Sequence, residues 1–127
     1  MVNITRAALI CLFSAAGNAA PLLPAARMDI DALLTRLQTS GCEFNRNGSW
    51  YAGAEARAHL LKKLEHLEGK DMVSTAEQFI ERGASTSSMS GKAYLVRCPR
   101  KAPVESAVWL KAELQQVRAA RAASSPR

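Results

Sequence analysis

Apolar positions along this chain follow two rhythms, one helical and one alternating. Ile30, Leu33, Leu34 and Leu37 recur at i, i+3, i+4 and i+7, the spacing of one helical face. This predicts a first helix over 29–39, with Asp29 capping its start and Gly41 marking its end. Leu60, Leu61, Leu64 and Leu67 form a second stripe and predict a helix over 54–68 that stops at Gly69. Ser74-x-x-Glu77 has the form of a capping box and opens a short helix over 75–82, with Phe79 and Ile80 inward and Gly83 at its end. Ser106 caps a last helix, whose inner face is Ala107, Leu110, Leu114 and Val117.

Between these stripes the rhythm changes. Residues 42–46, Cys-Glu-Phe-Asn-Arg, alternate as a half-buried strand does. Asn47-Gly48 follows, a strong hairpin-turn signal, and Ser49-Trp50-Tyr51 reads as the return strand. Residues 93–98 have strand composition. Residues 84–91 form a loop of small residues, and Pro99 and Pro103 bound a basic turn. The expected fold is α+β: a small antiparallel sheet of about three strands packed with about four helices. It forms a single domain over 28–118, with a linker at 20–27 and a disordered tail at 119–127. No internal repeat is evident.

The first 19 residues read as a secretory signal. Arg6 supplies the positive start, residues 7–13 the apolar stretch, and Gly17-Asn18-Ala19 the small-x-small cleavage pattern. The apolar run is too short to span a bilayer, which takes about 20 residues. Cys11 lies inside that run without a lipoprotein-type pattern before it. Cleavage leaves an exported mature chain with no transmembrane segment.

Of the cysteines, Cys42 and Cys98 then remain. In an oxidising compartment two such cysteines pair, the alternative being two buried free thiols. The bridge would close a loop of roughly 57 residues, worth about 4 kcal/mol on the chain-entropy picture. It would also place the 42–46 and 93–98 strands side by side, since bridged Cα atoms lie within about 7 Å.

Composition is globular, with 48% hydrophobic residues and a mean hydropathy of -0.09. The net charge is +6, spread along the chain. A spread excess gives weak attraction to polyanions, but no nucleic-acid motif is present and aromatics are 6%, too few for an obvious base-stacking platform. No cofactor motif is present.

Three clusters are candidates for chemistry. Glu55, His59 and Lys63 recur at i, i+4 and i+8, flanking the leucine stripe. Glu55 could accept from the imidazole and orient His59 as a general base, with a serine of the 85–90 loop as nucleophile. The alternative is a partly buried histidine tying the helix to the sheet or to the serine loop, and the absence of a Gly-x-Ser-x-Gly elbow favours it. His59 and His66 stand about 10.5 Å apart along a helix axis, too far to share a metal, so no metal site is expected. The loop serines Ser85, Ser87, Ser88 and Ser90 expose hydroxyls and amides suited to a sugar, anion or carboxylate, with Arg46 and Lys92 adding charge. The alternative is that they cap backbone groups in a tight connection.

Ordered blocks carry a resemblance. They are Cys42-Glu43-Phe44-Asn45-Arg46-Asn47-Gly48-x-x-Tyr51, Glu55-Ala56-x-x-His59-Leu60-x-x-Lys63, and Thr75-Ala76-Glu77-x-Phe79-Ile80. Ala84-Ser85-x-Ser87-Ser88-x-Ser90-Gly91-x-x-Tyr94, Cys98 and Trp109-Leu110 follow. Over residues 28–118 the chain resembles the YfeK-type family of small exported bacterial proteins of unknown function. The resemblance implies a Gram-negative periplasmic setting and brings no activity. Asn45 stands where an apolar residue is expected. Separately, Ser90-Gly91-Lys92-Ala93-Tyr94 is similar to the Ser-Gly-x-x-Tyr loop of periplasmic lysozyme inhibitors, which enters an acidic cleft. Those inhibitors are mostly β-structured.

The expected function is therefore a non-enzymatic binding or interaction module whose partner is a periplasmic protein or cell-wall component. Its surface centres on Arg46, Asn47, His59, Ser85, Ser87, Ser88, Ser90, Lys92 and Tyr94. A lysozyme-inhibitor-like role and a hydrolase built on His59 are the alternatives.

Overall fold

The computed structural model describes residues 21–124. The leader, its cleavage site and residues 125–127 of the tail lie outside them. Helix α1 spans Pro24–Thr39. A hairpin follows, β1 (Glu43–Arg46) and β2 (Ser49–Ala52). Next come α2 (Gly53–Gly69) and α3 (Ala76–Gly83), then β3 (Leu95–Arg97), β4 (Val104–Glu105) and α4 (Ser106–Ser124). The strands form one antiparallel sheet in the order β2-β1-β3-β4.

All four apolar stripes point where their spacing places them. Ile30, Leu33, Leu34 and Leu37 are fully buried, as are Leu60, Phe79 and Ile80, with Leu110, Leu114 and Val117 completing the core from α4. Leu61 and Ala107 sit only partly inside. Helix α2 rests on β1 and β2, α4 rests on β3 and β4, and α1 and α3 pack across both. Phe44 and Val96 point from the sheet into this core. The opposite sheet face carries Asn45, Trp50, Leu95 and the Arg97–Glu43 ion pair, with the Arg97 guanidinium 4.0 Å from the Trp50 ring centre. Asn45 thus lies on the uncovered face. Its side-chain oxygen accepts from the Gly48 amide, so a polar residue here serves the turn.

Cys42 and Cys98 are bonded. They lie immediately beyond the Glu43–Arg97 pair of the β1–β3 ladder, with Cα atoms 4.1 Å apart. The covalent link, between cysteines 56 positions apart, therefore continues the ladder between two strands distant in the sequence.

Several boundaries differ from the sequence expectation. The segment read as a linker begins α1 at Pro24, because proline suits the first helical turn, where its missing N–H costs nothing. Ala26 is buried, and Arg27 pairs with Glu68 of α2. Asp29 does not cap the helix. It is buried one turn inside, where it accepts from Arg118 and Arg121 of α4. Arg118 also reaches Glu77 of α3. That ion cluster holds the last turns of α4, so residues 119–124, expected as disordered tail, continue the helix. The cap of α3 is Thr75, whose hydroxyl accepts from the Gln78 amide. Gln78 in turn accepts from the Ser74 amide and hydroxyl, one residue later than the Ser74/Glu77 frame. A fourth strand is added to the three expected. β4 is two residues long, below the reach of any alternation pattern.

Two outcomes follow from this packing. A Cys42→Ser/Cys98→Ser variant is expected to lose about 4 kcal/mol of stability in urea unfolding; a loss below about 1 kcal/mol would show that the ladder holds without its clamp. At the start of α2, a Cβ on Gly53 would lie 2.6 Å from the Leu37 carbonyl oxygen of α1. Gly53→Ala is expected to cost about 1–3 kcal/mol through overpacking, seen as a lower Tm. An unchanged Tm would show that α1 and α2 can part freely.

Candidate functional site

The hairpin turn fixes the position of Arg46. Asn47 and Gly48 both have positive φ, 52° and 86°, the requirement of a type I′ turn. The turn ends β1 at Arg46 on the sheet face that carries Phe44, with Tyr51 opposite Phe44 on β2. The Arg46 guanidinium carbon lies 5.3 Å from the Tyr51 ring centre. Helix α2 runs alongside, and between it and the hairpin lies a cleft of about 280 Å³. Phe44, Tyr51, Ala56 and Ala58 give it apolar walls, and Arg46, His59, Lys62 and Glu55 give it charge or polarity.

His59 is bound by the sheet. Arg46 Nη1 donates to His59 Nδ1 at 2.6 Å, and His59 Nε2 stands 3.3 Å from the Tyr94 hydroxyl. The same Nη1 stands 3.3 Å from Nε2, so the guanidinium, a cation with no acceptor, crowds both ring nitrogens and disfavours protonation of the ring. The imidazole is therefore neutral. Burial, and then the positive charges of Arg46, Lys63 and Lys62, push its pKa below the ordinary 6.5. Tyr94 is buried, its ring centre 5.0 Å from that of Phe44. Burial pushes its hydroxyl pKa up, so it remains a neutral phenol.

Lys63 ties the helix to the serine loop. Its Nζ donates to Ser88 Oγ at 2.7 Å, and to the Thr86 carbonyl and the Tyr94 hydroxyl at 3.4 Å each. Burial, then Arg46, lowers its pKa. Three oxygen acceptors around one nitrogen fit an ammonium group, which has three donors and no lone pair. The Lys63–Ser88 contact is thus a clamp in which the lysine donates, and Ser88 keeps its proton.

The loop serines divide by role. Ser85 Oγ donates to the Ile80 carbonyl, closing the end of α3. Ser87 is buried, and its hydroxyl accepts from the Met89 and Ser90 amides. Both serve the backbone, as the capping alternative holds. Ser88 and Ser90 are exposed. Ser90 donates to the Asn47 side chain at 2.6 Å and accepts from the Lys92 amide, joining loop to hairpin turn. The structure thus brings Arg46, His59, Ser88, Tyr94 and Lys63 into one connected chain, with Asn47, Ser90 and Lys92 beside it. Of the Ser90-Gly91-x-x-Tyr94 motif, the first half lies on an exposed tip with Met89, while Tyr94 is inside.

Two contacts that the hydrolase alternative requires are not formed. Among the described residues Glu55 makes no hydrogen bond or ion pair. The nitrogen it would have oriented is occupied by Arg46. No loop serine lies within hydrogen-bond distance of His59. Lys62 and Tyr51 line the cleft, and sequence reasoning gave neither a role there. Tyr51 stands opposite Phe44 across an Asn-Gly turn, a register that could have marked it as lining the same face as Arg46. Among the described residues no three His, Cys, Asp or Glu side chains come together as a metal would need, and no helix is long and apolar enough to cross a membrane.

The neutral His59 has a pH signature. Below pH 6.5 the unfolded chain takes up a proton that folded His59 resists. Its contribution to stability is therefore complete above 6.5 and is lost as pH falls toward the folded value. A two-dimensional NMR titration should place the His59 midpoint below that of a model imidazole, and Arg46→Ala should move it part of the way back. A midpoint at or above 6.5 in the native protein would contradict the arrangement.

Comparison with known proteins locates the chain among its relatives. No solved structure matches it. It is 42% identical over 66 residues to the "Uncharacterized protein YfeK" of Salmonella typhimurium, a match that covers 51% of this chain and 53% of that protein. The matched stretch thus spans about half the length of the curated relative. The profile of the family of unknown function DUF5329 matches residues 24–118, the full run from the first turn of α1 to Arg118 on α4. The chain therefore belongs to this YfeK-type family of unknown function, DUF5329.

Proposed function

We propose that this protein works after export as a small binding module, with the cleft between α2 and the β1–β2 hairpin as its contact surface and the 86–92 loop as its rim. The observation that carries this reading is the commitment of the polar side chains. His59 is neutral and held by Arg46 and Tyr94, and Lys63 is engaged as an ammonium. These contacts organise a concave surface and prepare neither a nucleophile nor a base. Export is supported by the leader pattern over 1–19 and by the disulfide, which persists in oxidising compartments. A cell-wall fragment or other soluble envelope component of modest size suits the cleft.

Edman sequencing of protein recovered from the periplasm should begin at Ala20; an intact Met1 on cytosolic protein would remove the export half of the proposal. For the binding half, isotope-labelled protein is mixed with the low-molecular-weight fraction of periplasm. Amide shifts should gather on 44–51, 55–63 and 86–92. Shifts confined to other surfaces, or turnover of a component that His59→Ala abolishes, would overturn it.

A further inference from the structure

The charge of the described residues is unevenly compensated. Arg27, Arg36, Arg97, Arg118 and Arg121 are each paired with a carboxylate. Other described cations, among them Lys70, Lys92, Arg100, Lys101 and Lys111, are likewise in no ion pair, and of the cations without one Arg46 and Lys62 line this cleft and Lys63 stands beside it. The carboxylate that lines the cleft, Glu55, is itself unpaired. Cations gathered beside one another without a counter-ion repel, and such a cluster is stabilised by whatever anion enters it.

The geometry of Arg46 says how an anion would be held. Its guanidinium carbon stands 5.3 Å over the Tyr51 ring centre, and Nη1 is spent on His59. Nε and Nη2 donate to nothing among the described residues. That pair of parallel donors is the fork that matches two oxygens of a carboxylate or phosphate. Because a ring and an imidazole fix the group beforehand, little side-chain freedom is lost when the fork is filled. The apolar walls, Phe44, Tyr51, Ala56 and Ala58, suit a ring-sized body, and Glu55 offers an acceptor to a ligand hydroxyl or N–H. At about 280 Å³ the cleft has room for a single ring with its substituents.

From this we infer that the cleft is a site for a small organic acid on a hydroxylated ring, such as a sugar acid or sugar phosphate. Its carboxylate or phosphate is gripped by the Nε/Nη2 edge of Arg46 with Lys62 beside it, and its ring lies on Tyr51. This rests on the cleft being the binding surface and adds the class of ligand. It also implies a proton: an anion at Arg46 favours the imidazolium of His59. Arg46 of β1, Lys62, Lys63 and Glu55 of α2, and Tyr94 ahead of β3 are the groups that face this ring.

The test uses protein purified from cells and three probes of one shape: glucuronate, glucose 6-phosphate and glucose, each titrated by NMR at low salt. At least one acid is expected to bind about tenfold or more tightly than glucose, and the preferred one distinguishes carboxylate from phosphate. Arg46→Lys, which keeps the charge and loses the fork, should weaken that acid about tenfold. Lys62→Gln, at an exposed position that leaves the fold alone, should weaken it by a smaller factor. Arg97→Ala, which removes a cation from the other sheet face, should leave it unchanged. Saturation should raise the His59 titration midpoint. Glucose binding in the cleft as well as the acids would overturn the ligand class while leaving the binding surface standing. Equal losses in Arg97→Ala and Arg46→Lys would reduce the effect to diffuse charge. Binding to anionic phospholipid vesicles with none to the acids would assign the cations to a membrane surface. No response to any probe, or to the periplasmic fraction, would remove both readings.

Discussion

The pairing of β1 with β3 is the constraint on which the rest of this structure depends. It joins Glu43 to Arg97 and Asn45 to Leu95, far apart in the chain, and a small domain has little buried surface to offset the entropy of closing so long a loop. The Cys42–Cys98 bond removes much of that entropy from the unfolded chain. Because the bond sits at one end of the ladder, it also fixes the register: Phe44 stands opposite Val96, and Tyr94, two residues back, falls against the Phe44 ring. From Tyr94 outward everything polar is placed in turn, His59 on its hydroxyl, Arg46 on His59, and Lys63 between Tyr94 and the serine loop. A slip of one residue would turn Arg46 to the other face of the sheet and dissolve the cleft.

How much of this was legible in the sequence depends on the range over which each signal acts. The leucine stripes, the Asn-Gly turn and the two cysteines are local or compositional, and each led to the element or bond observed. What escaped was decided by contacts across the fold. Pro24 reads equally as a linker residue or as a helix start, and the buried Ala26 and the Arg27–Glu68 pair settle it. Asp29 has the look of a cap, yet Arg118 and Arg121 arrive from the far end of the chain and hold it one turn further in. The same contact orders α4 through Ser124, where composition alone suggests a loose tail. β4 has two residues and no pattern of its own, and it exists because β3 offers it a partner.

The site shows the same division. Most of the candidates fall in one connected cluster, but its wiring is not readable in the sequence. Glu55 and His59 are four apart on one helix, which makes an intrahelical bond the obvious expectation. A guanidinium from another element reaches the imidazole instead. Sequence spacing ranks near neighbours on a helix and says nothing of a strand lying across it. The loop serines are contiguous in the sequence and read there as one group. The backbone sorts them: Ser85 and Ser87 shape the loop, and Ser88 and Ser90 fasten it to α2 and to the hairpin.

The open face of the sheet has a consequence of its own. A sheet left bare on one side offers neighbouring molecules both a flat surface and two unpaired edges, the usual start of fibrous association. Here one edge is two residues long, follows Pro103 and carries Glu105, and the other passes after four residues into a helix. The flat surface is occupied by Arg97 lying on Trp50 beside Glu43. The uncovered layer thus ends in short edges and carries charge on its flat side, both of which work against another copy extending the sheet.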